Sequence, residues 1–181
     1  TFSDKTMYPV ASCNDKDFAN LMSVYMDAVF YPAMKHNKYV FWQEGWHYEM
    51  ENEEAPLTVN GVVYNEMRGV FSSPEQQLER LVQKTLFEDN AYGFESGGDP
   101  DDIPDLSYEA FLDFYNQYYH PSNSYIYLYG DIDIEERLLW MDREYLNKFN
   151  AITIDSTIKE QKPFDAMKIV NEKYSAQSDE D

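Results

Sequence analysis

Apolar residues recur every three or four positions in several stretches of the chain, which is the spacing of one face of an α-helix. The first stretch ends just before Pro32, a residue type that cannot continue a helix. Ser73 is followed by Pro74 and Gln76, which predicts a proline in the first helical turn and a capping-box partner. Helix-capping residue types stand before four such stretches: Asn14, Ser73, Ser107 and Asp133. The pattern predicts a helix-rich chain, with a further helix beginning near Asn60.

Few strands are predicted between these helices. Residues 46–50 form a short candidate strand, and the segment SYIYLYGD at 124–131 alternates in the manner of a strand. Residues 92–106 combine glycine, proline and acidic residues without periodicity, which predicts a long loop. From residue 151 the periodicity fades, so residues 151–181 are predicted to be an extended connector with a disordered acidic end.

The charge of the chain excludes several classes of partner. It has 14 lysine and arginine residues against 34 aspartate and glutamate residues, a formal net charge of −20. That charge repels phosphate backbones and anionic lipid headgroups, so we expect no nucleic-acid and no membrane partner. The lone Cys13 cannot form an internal disulfide, and no apolar run reaches the ~18 residues of a membrane span.

The residues that commonly bind metals do not form a complete site in the sequence. His36, His47 and His120 lie in HNKY, HYEM and HPSN, none of which is an HxxEH or HExxH motif. The acidic cluster that begins at Asp131 has Glu136 where an EF-hand loop needs glycine. Structural roles are therefore expected for the histidines, and helix caps or a solvated face for the acids.

One carboxylate, Glu66, stands apart from the others. On a helical wheel of the segment GVVYNEMRGVF, it falls between Val62 and Val70, near Val63 and Gly69. The opposite side of the wheel carries Tyr64, Asn65 and Arg68. A carboxylate in the middle of an apolar face loses hydration and needs a cation, a metal or hydrogen-bond donors as compensation. The pattern thus leaves open a buried ion pair and a metal-ligand role for Glu66.

Several long strings in the first 150 residues resemble the presequence-protease branch of the pitrilysin (insulinase) family of zinc metallopeptidases. The strings are TFSDKTMYPVASCNDKDFANLMSVYMDAVFYP, FWQEGWHYEM, GVVYNEMRGVFSSPE, FEDNAYGFESGGDPDDIPDLSYEAF and YYHPSNSYIYLYGD. In that family an HxxEH helix supplies two zinc-binding histidines and the catalytic glutamate, and a glutamate in a later VxxNExxG-like helix is the third protein ligand. The resemblance implies that Glu66 is this third zinc ligand.

The resemblance also implies a fold and a domain organisation. The family fold is α+β, with helices packed on an antiparallel sheet, and this chain would hold most of the helices and part of the sheet. Residues 1–150 are expected to be part of the N-terminal catalytic domain without the upstream HxxEH segment, and residues 151–181 to lead toward the next domain. Because HxxEH is absent, no catalytic residue is expected within the chain. The chain is expected to be a fragment, inactive and without bound zinc on its own.

Two functions are compatible with these observations. The first is a piece of a zinc metalloendopeptidase that degrades unstructured peptides, whose partners are peptide substrates and the remaining domains of the same polypeptide. The alternative is a non-catalytic structural or interaction domain of the same fold superfamily. The expected compartment is cytoplasmic if the source is bacterial and organellar if it is eukaryotic.

Overall fold

The computed structural model describes residues 1–173, which fall into two compact units. The first unit comprises residues 1–6, 42–105 and the described residues from 158 onward, and the second comprises residues 7–41 and 106–157. The helices in chain order are α1 (Asp15–Phe30), α2 (Lys38–Glu44), α3 (Val62–Val70), α4 (Pro74–Leu86), α5 (Tyr108–Tyr118) and α6 (Ile134–Glu144). Two strands, β1 (His47–Glu49) and β2 (Thr58–Asn60), form an antiparallel sheet. The predicted α+β class is confirmed.

All four predicted cap residues occupy N-cap positions, and three of them make the capping hydrogen bond. The side chains of Asn14, Ser107 and Asp133 accept hydrogen bonds from the backbone N–H groups three residues later, at 3.0–3.1 Å. Ser73 is the N-cap residue of α4, as predicted, but its hydroxyl hydrogen-bonds the Glu75 carboxylate at 2.7 Å instead of a backbone N–H. Pro74 nevertheless occupies the first turn of α4, as predicted, where the missing N–H costs no helical hydrogen bond.

The core of the second unit is built from aromatic and sulfur-containing side chains. Its buried members are Met22, Phe30, Phe41, Tyr115, Met141 and Tyr145. Burying each such side chain contributes about 1.5–3 kcal/mol relative to leaving it exposed. The buried tyrosines keep their hydroxyl groups paired, since Tyr115 donates to the carbonyl of Val29 at 2.6 Å. Burial raises the pKa of Tyr115 to about 12, because the charged phenolate would lose its hydration.

The first unit is organised around the β1–β2 hairpin and the two helices that follow it. Register pairs His47 with Asn60 and Glu49 with Thr58, and the chain enters α3 directly after β2. Arg80 of α4 pairs with Asp99, and its guanidinium lies 4.6 Å from the ring centroid of Phe71. The loop predicted at 92–106 is thus tied to α4 by an ion pair. Two short 3₁₀ turns, Ala91–Gly93 and Ile103–Asp105, interrupt it.

The strand predicted at 124–131 is wrong for the described structure, whereas the one at 46–50 is confirmed by β1. Residues 125–129 alternate in sequence, but they pair with no strand among residues 1–173. Tyr125, Tyr127 and Tyr129 are 104%, 84% and 84% exposed. A strand needs a hydrogen-bonded neighbour, and an alternating sequence alone does not provide one.

The segment after residue 150 has no helix or strand as far as residue 173. The predicted division at residue 150 and the connector remain predictions. The acidic end that was expected to be disordered lies mostly outside the described residues.

Candidate functional site

The N-terminus of α3 is fixed by the glycine that precedes it. Gly61 has φ +150°, a conformation that side chains rarely adopt, and a Cβ atom placed on it would lie 2.2 Å from the carbonyl oxygen of Gly45. The backbone N–H of Tyr64 donates to that same Gly45 carbonyl at 3.3 Å. Only glycine permits this close approach, so Gly61 sets where α3 leaves the hairpin.

A chain of polar side chains holds α3 against the hairpin. The Asn60 side-chain amide donates to Glu49 on β1, and its oxygen accepts from the Asn65 side chain at 2.5 Å. The same oxygen accepts from the backbone N–H of Gly61 at 2.8 Å. These bonds orient α3 relative to β1 and β2. They account for Asn65 pointing away from the Glu66 face, as the helical wheel predicts.

Glu66 lies on the α3 face that the wheel predicts, but that face is exposed. Val62 and Val70, one turn before and after it, are 53% and 39% exposed, and the space around Gly69 is open. The partly buried side of the helix carries Val63, Tyr64 and Met67. The expectation that Glu66 is desolvated is therefore wrong for this structure. The reason is that an apolar face on a wheel needs a cover, and residues 1–173 leave this one uncovered.

The ion-pair alternative also finds no support in the described structure. Among residues 1–173, the ion pairs are Lys5–Asp4, Arg80–Asp99, Arg143–Glu144 and Lys168–Glu88. None of them includes Glu66. Its carboxylate projects from the exposed face of α3 without a cationic partner from this part of the chain.

The described residues do not form a metal site by themselves. Residues 1–173 contain no group of three or more His, Cys, Asp or Glu side chains that could hold a metal ion. Tetrahedral zinc sites use at least three protein ligands, and α3 supplies one candidate, Glu66.

Two of the histidines have structural contacts, as the sequence predicts. His47 Nδ1 lies 2.7 Å from the carbonyl oxygen of Trp42. His120 Nδ1 accepts from the backbone N–H of Ser122 at 3.1 Å, and its ring meets Phe149 edge-on at 5.3 Å. Asp133 serves as the cap of α6, which is one of the roles expected for the acidic cluster.

Sequence reasoning did not identify a second feature, here called the aromatic cleft. It is a depression of about 380 Å³ in the second unit. Its defining residues are Asp27, Tyr31, Trp140, Glu144, Tyr145 and Lys148. Asp27 in the last turn of α1 could have drawn attention to it, because a carboxylate is unfavourable at a helix C-terminus and no basic residue accompanies it there.

The chain is similar in sequence to known proteins over its whole length. A family model described as the peptidase M16 inactive domain matches residues 105–180. Protein HypA of Clostridium perfringens is 54% identical over 181 residues, covering 100% of this chain and 19% of that protein. Presequence protease 1, chloroplastic/mitochondrial, of Arabidopsis thaliana is 49% identical over 183 residues, covering 100% of this chain and 17% of that protein. Residues 105–180 thus match a peptidase M16 domain, and the whole chain is similar to HypA and to a presequence protease.

The family resemblance expected from the sequence is thereby confirmed. The mitochondrial presequence protease of Danio rerio is 43% identical over 168 residues, which cover 91% of this chain and 16% of that protein. The chain thus spans less than a fifth of the length of these relatives. None of the helices within residues 1–173 has the length and apolar character needed to cross a membrane.

Proposed function

We propose that this chain is part of a zinc-dependent peptidase that degrades unstructured peptides, and that Glu66 supplies one zinc ligand. The observation that carries the proposal is the identity of 43–54% to HypA and two presequence proteases over nearly the whole chain, including α3. The other zinc ligands and the catalytic base are assigned to residues outside these 181. This sequence contains no HxxEH motif that could supply them.

The geometry of α3 supports the ligand role. The helix is oriented by Gly61 and by the Asn60 bonds, so the position of Glu66 is fixed relative to the hairpin. Its exposed carboxylate, flanked by exposed valines, leaves room for ligands from another segment to approach. Carboxylate oxygen is a usual zinc donor, and bound zinc acts as a Lewis acid in peptidases.

The proposed partners follow from the charge and from the relatives. Peptides and the other domains of the same polypeptide are the proposed partners, and nucleic acid and membrane surfaces are not, because the formal charge is −20. The named compartments of the plant and fish relatives are chloroplastic or mitochondrial, while HypA comes from a bacterium. We propose an organellar location for a eukaryotic source and a cytoplasmic one for a bacterial source.

A non-catalytic role is the second candidate. It is favoured by one observation, namely that the family model matching residues 105–180 describes an inactive domain. Glu66 lies outside that match, on a helix whose exposed face offers a carboxylate. We prefer the peptidase because the identity to HypA and to a presequence protease extends over the whole chain, including α3 outside that match.

The experiment that separates the two candidates uses the whole protein that contains this chain. We expect it to cleave an unstructured fluorogenic peptide, to lose this activity with a zinc chelator, and to regain it when zinc is added back. Cleavage that resists the chelator would contradict the metal role. Absence of cleavage from protein with full zinc content would favour the structural candidate.

A further inference from the structure

The aromatic cleft groups three aromatic rings at the C-terminal ends of α1 and α6: the exposed Tyr31, the partly buried Trp140 and, beneath them, the buried Tyr145. The ring of Tyr145 lies 6.1 Å from that of Tyr31 and 5.4 Å from that of Trp140, measured between centroids. Tyr31 comes directly after α1, and Trp140 lies on α6. The negative faces of such rings attract cations placed within about 6 Å of the centroid. The ammonium of Lys148 already lies 5.9 Å from the Tyr145 ring centroid, at this limit.

A carboxylate without an ion pair in the described structure, that of Asp27, lies at one end of the cleft. Asp27 is in the last turn of α1, where the unpaired carbonyl groups of the helix carry partial negative charge. No ion pair within residues 1–173 includes Asp27. Glu144 is a second carboxylate in the lining, but it pairs with Arg143 and interacts with the Lys148 ammonium, so Asp27 is the lining carboxylate without an ion pair among residues 1–173.

The hydroxyl of Tyr145 does not neutralise this charge. It lies 2.9 Å from Asp27 Oδ1 and 3.2 Å from the carbonyl oxygen of Ser23, and it has a single proton for both acceptors. Desolvation and the Asp27 carboxylate raise the pKa of Tyr145. Acceptors therefore outnumber donors at this point, which leaves capacity for a donor from a ligand.

We propose that the aromatic cleft binds the guanidinium or ammonium group of a basic side chain in a peptide. A planar guanidinium can stack on Tyr31 or Trp140 while it donates hydrogen bonds to Asp27. A lysine ammonium can donate to Asp27 but cannot stack. The inference rests on the proposed function only in naming a peptide as the source of the cation.

The test is a titration of the full 181-residue chain with two tripeptides. Ac-Gly-Arg-Gly-NH₂ carries the guanidinium, and Ac-Gly-citrulline-Gly-NH₂ is its neutral isostere. We expect the arginine peptide to give a saturable NMR shift of the Trp140 indole N–H with Kd on the order of 1–10 mM. The citrulline peptide should bind at least about fivefold more weakly.

Two aspartate-to-asparagine substitutions, each of which removes one negative charge, test where the arginine peptide binds. Asp27→Asn should weaken binding of the arginine peptide by about threefold to tenfold. Asp142→Asn, on α6 and outside the cleft, should change its Kd by less than about twofold. Tyr31→Leu, which removes an aromatic ring, should also weaken binding of the arginine peptide by about threefold.

Three results would overturn the inference: equal affinity for both peptides, no saturable shift at Trp140, or equal loss from the two aspartate substitutions. Because binding is measured without cleavage, such a result removes the cleft and leaves the proposed peptidase role untouched.

Discussion

Single residues determine how α3 is presented, and Gly61 is the clearest case. Its φ of +150° and the 2.2 Å approach of its would-be Cβ to the Gly45 carbonyl leave no room for a side chain. Gly69, eight residues later and inside α3, has open space around the corresponding position. The sequence GVVYNEMRG does not distinguish these two glycines, because the difference lies in what each one faces.

These glycines give a matched pair of substitutions. Gly61→Ala should lower the free energy of unfolding by about 1–3 kcal/mol or more, because it adds backbone strain and a clash with backbone atoms. Gly69→Ala should be neutral or raise it by up to about 1 kcal/mol, because alanine favours the helix. Urea denaturation of both variants beside the parent chain measures the two effects. Equal destabilisation by both would show that α3 does not pack as described.

At the scale of elements, features that depend on neighbouring residues in the sequence were predicted better than features that depend on contacts between distant segments. The helices over 15–30, 74–86, 108–118 and 134–144 follow from caps and periodicity, which are local properties. The strand predicted at 124–131 is absent from the described structure. A strand forms only beside a hydrogen-bonded partner strand, and an alternating sequence does not show whether such a partner exists. The helix α3 was predicted correctly, but its inward face was not, because the wheel predicted the Val62–Glu66–Val70 side and the structure partly buries Val63, Tyr64 and Met67. The sequence pattern singled out Glu66 as a candidate site residue. It did not predict the aromatic cleft, because the cleft is lined by residues more than 100 positions apart in the sequence.

The helix caps provide a prediction at this scale. Ser107→Ala and Asp133→Ala should each lower the free energy of unfolding by about 1 kcal/mol, since each removes the acceptor of a helix N-terminal N–H. Ser73→Ala should have a smaller effect, because that hydroxyl bonds a carboxylate rather than the helix backbone. Denaturant midpoints of the three variants decide the order, and a Ser73→Ala loss as large as the others would contradict the observed cap geometry.

For the whole molecule, the uncovered surfaces are the most informative feature. Val62, Glu66 and Val70 form one exposed face, and the alternating tyrosines at 125, 127 and 129 form another exposed segment. The chain spans at most 19% of the HypA and presequence-protease sequences it matches, so its function is proposed for a larger assembly of domains. In that setting the exposed α3 face is where Glu66 would meet the remaining zinc ligands.

The most direct test of this account is the zinc content of the whole protein with Glu66→Gln, measured by mass spectrometry together with peptide cleavage. Glutamine keeps the shape of the side chain and removes its charge, so zinc affinity should fall by more than the ~10–100-fold typical of losing an outer-shell partner, and cleavage should fall with it. Glu79→Gln, an exposed glutamate on α4, is the matched control and should retain zinc and activity. Full zinc occupancy and full activity in Glu66→Gln would contradict the central claim.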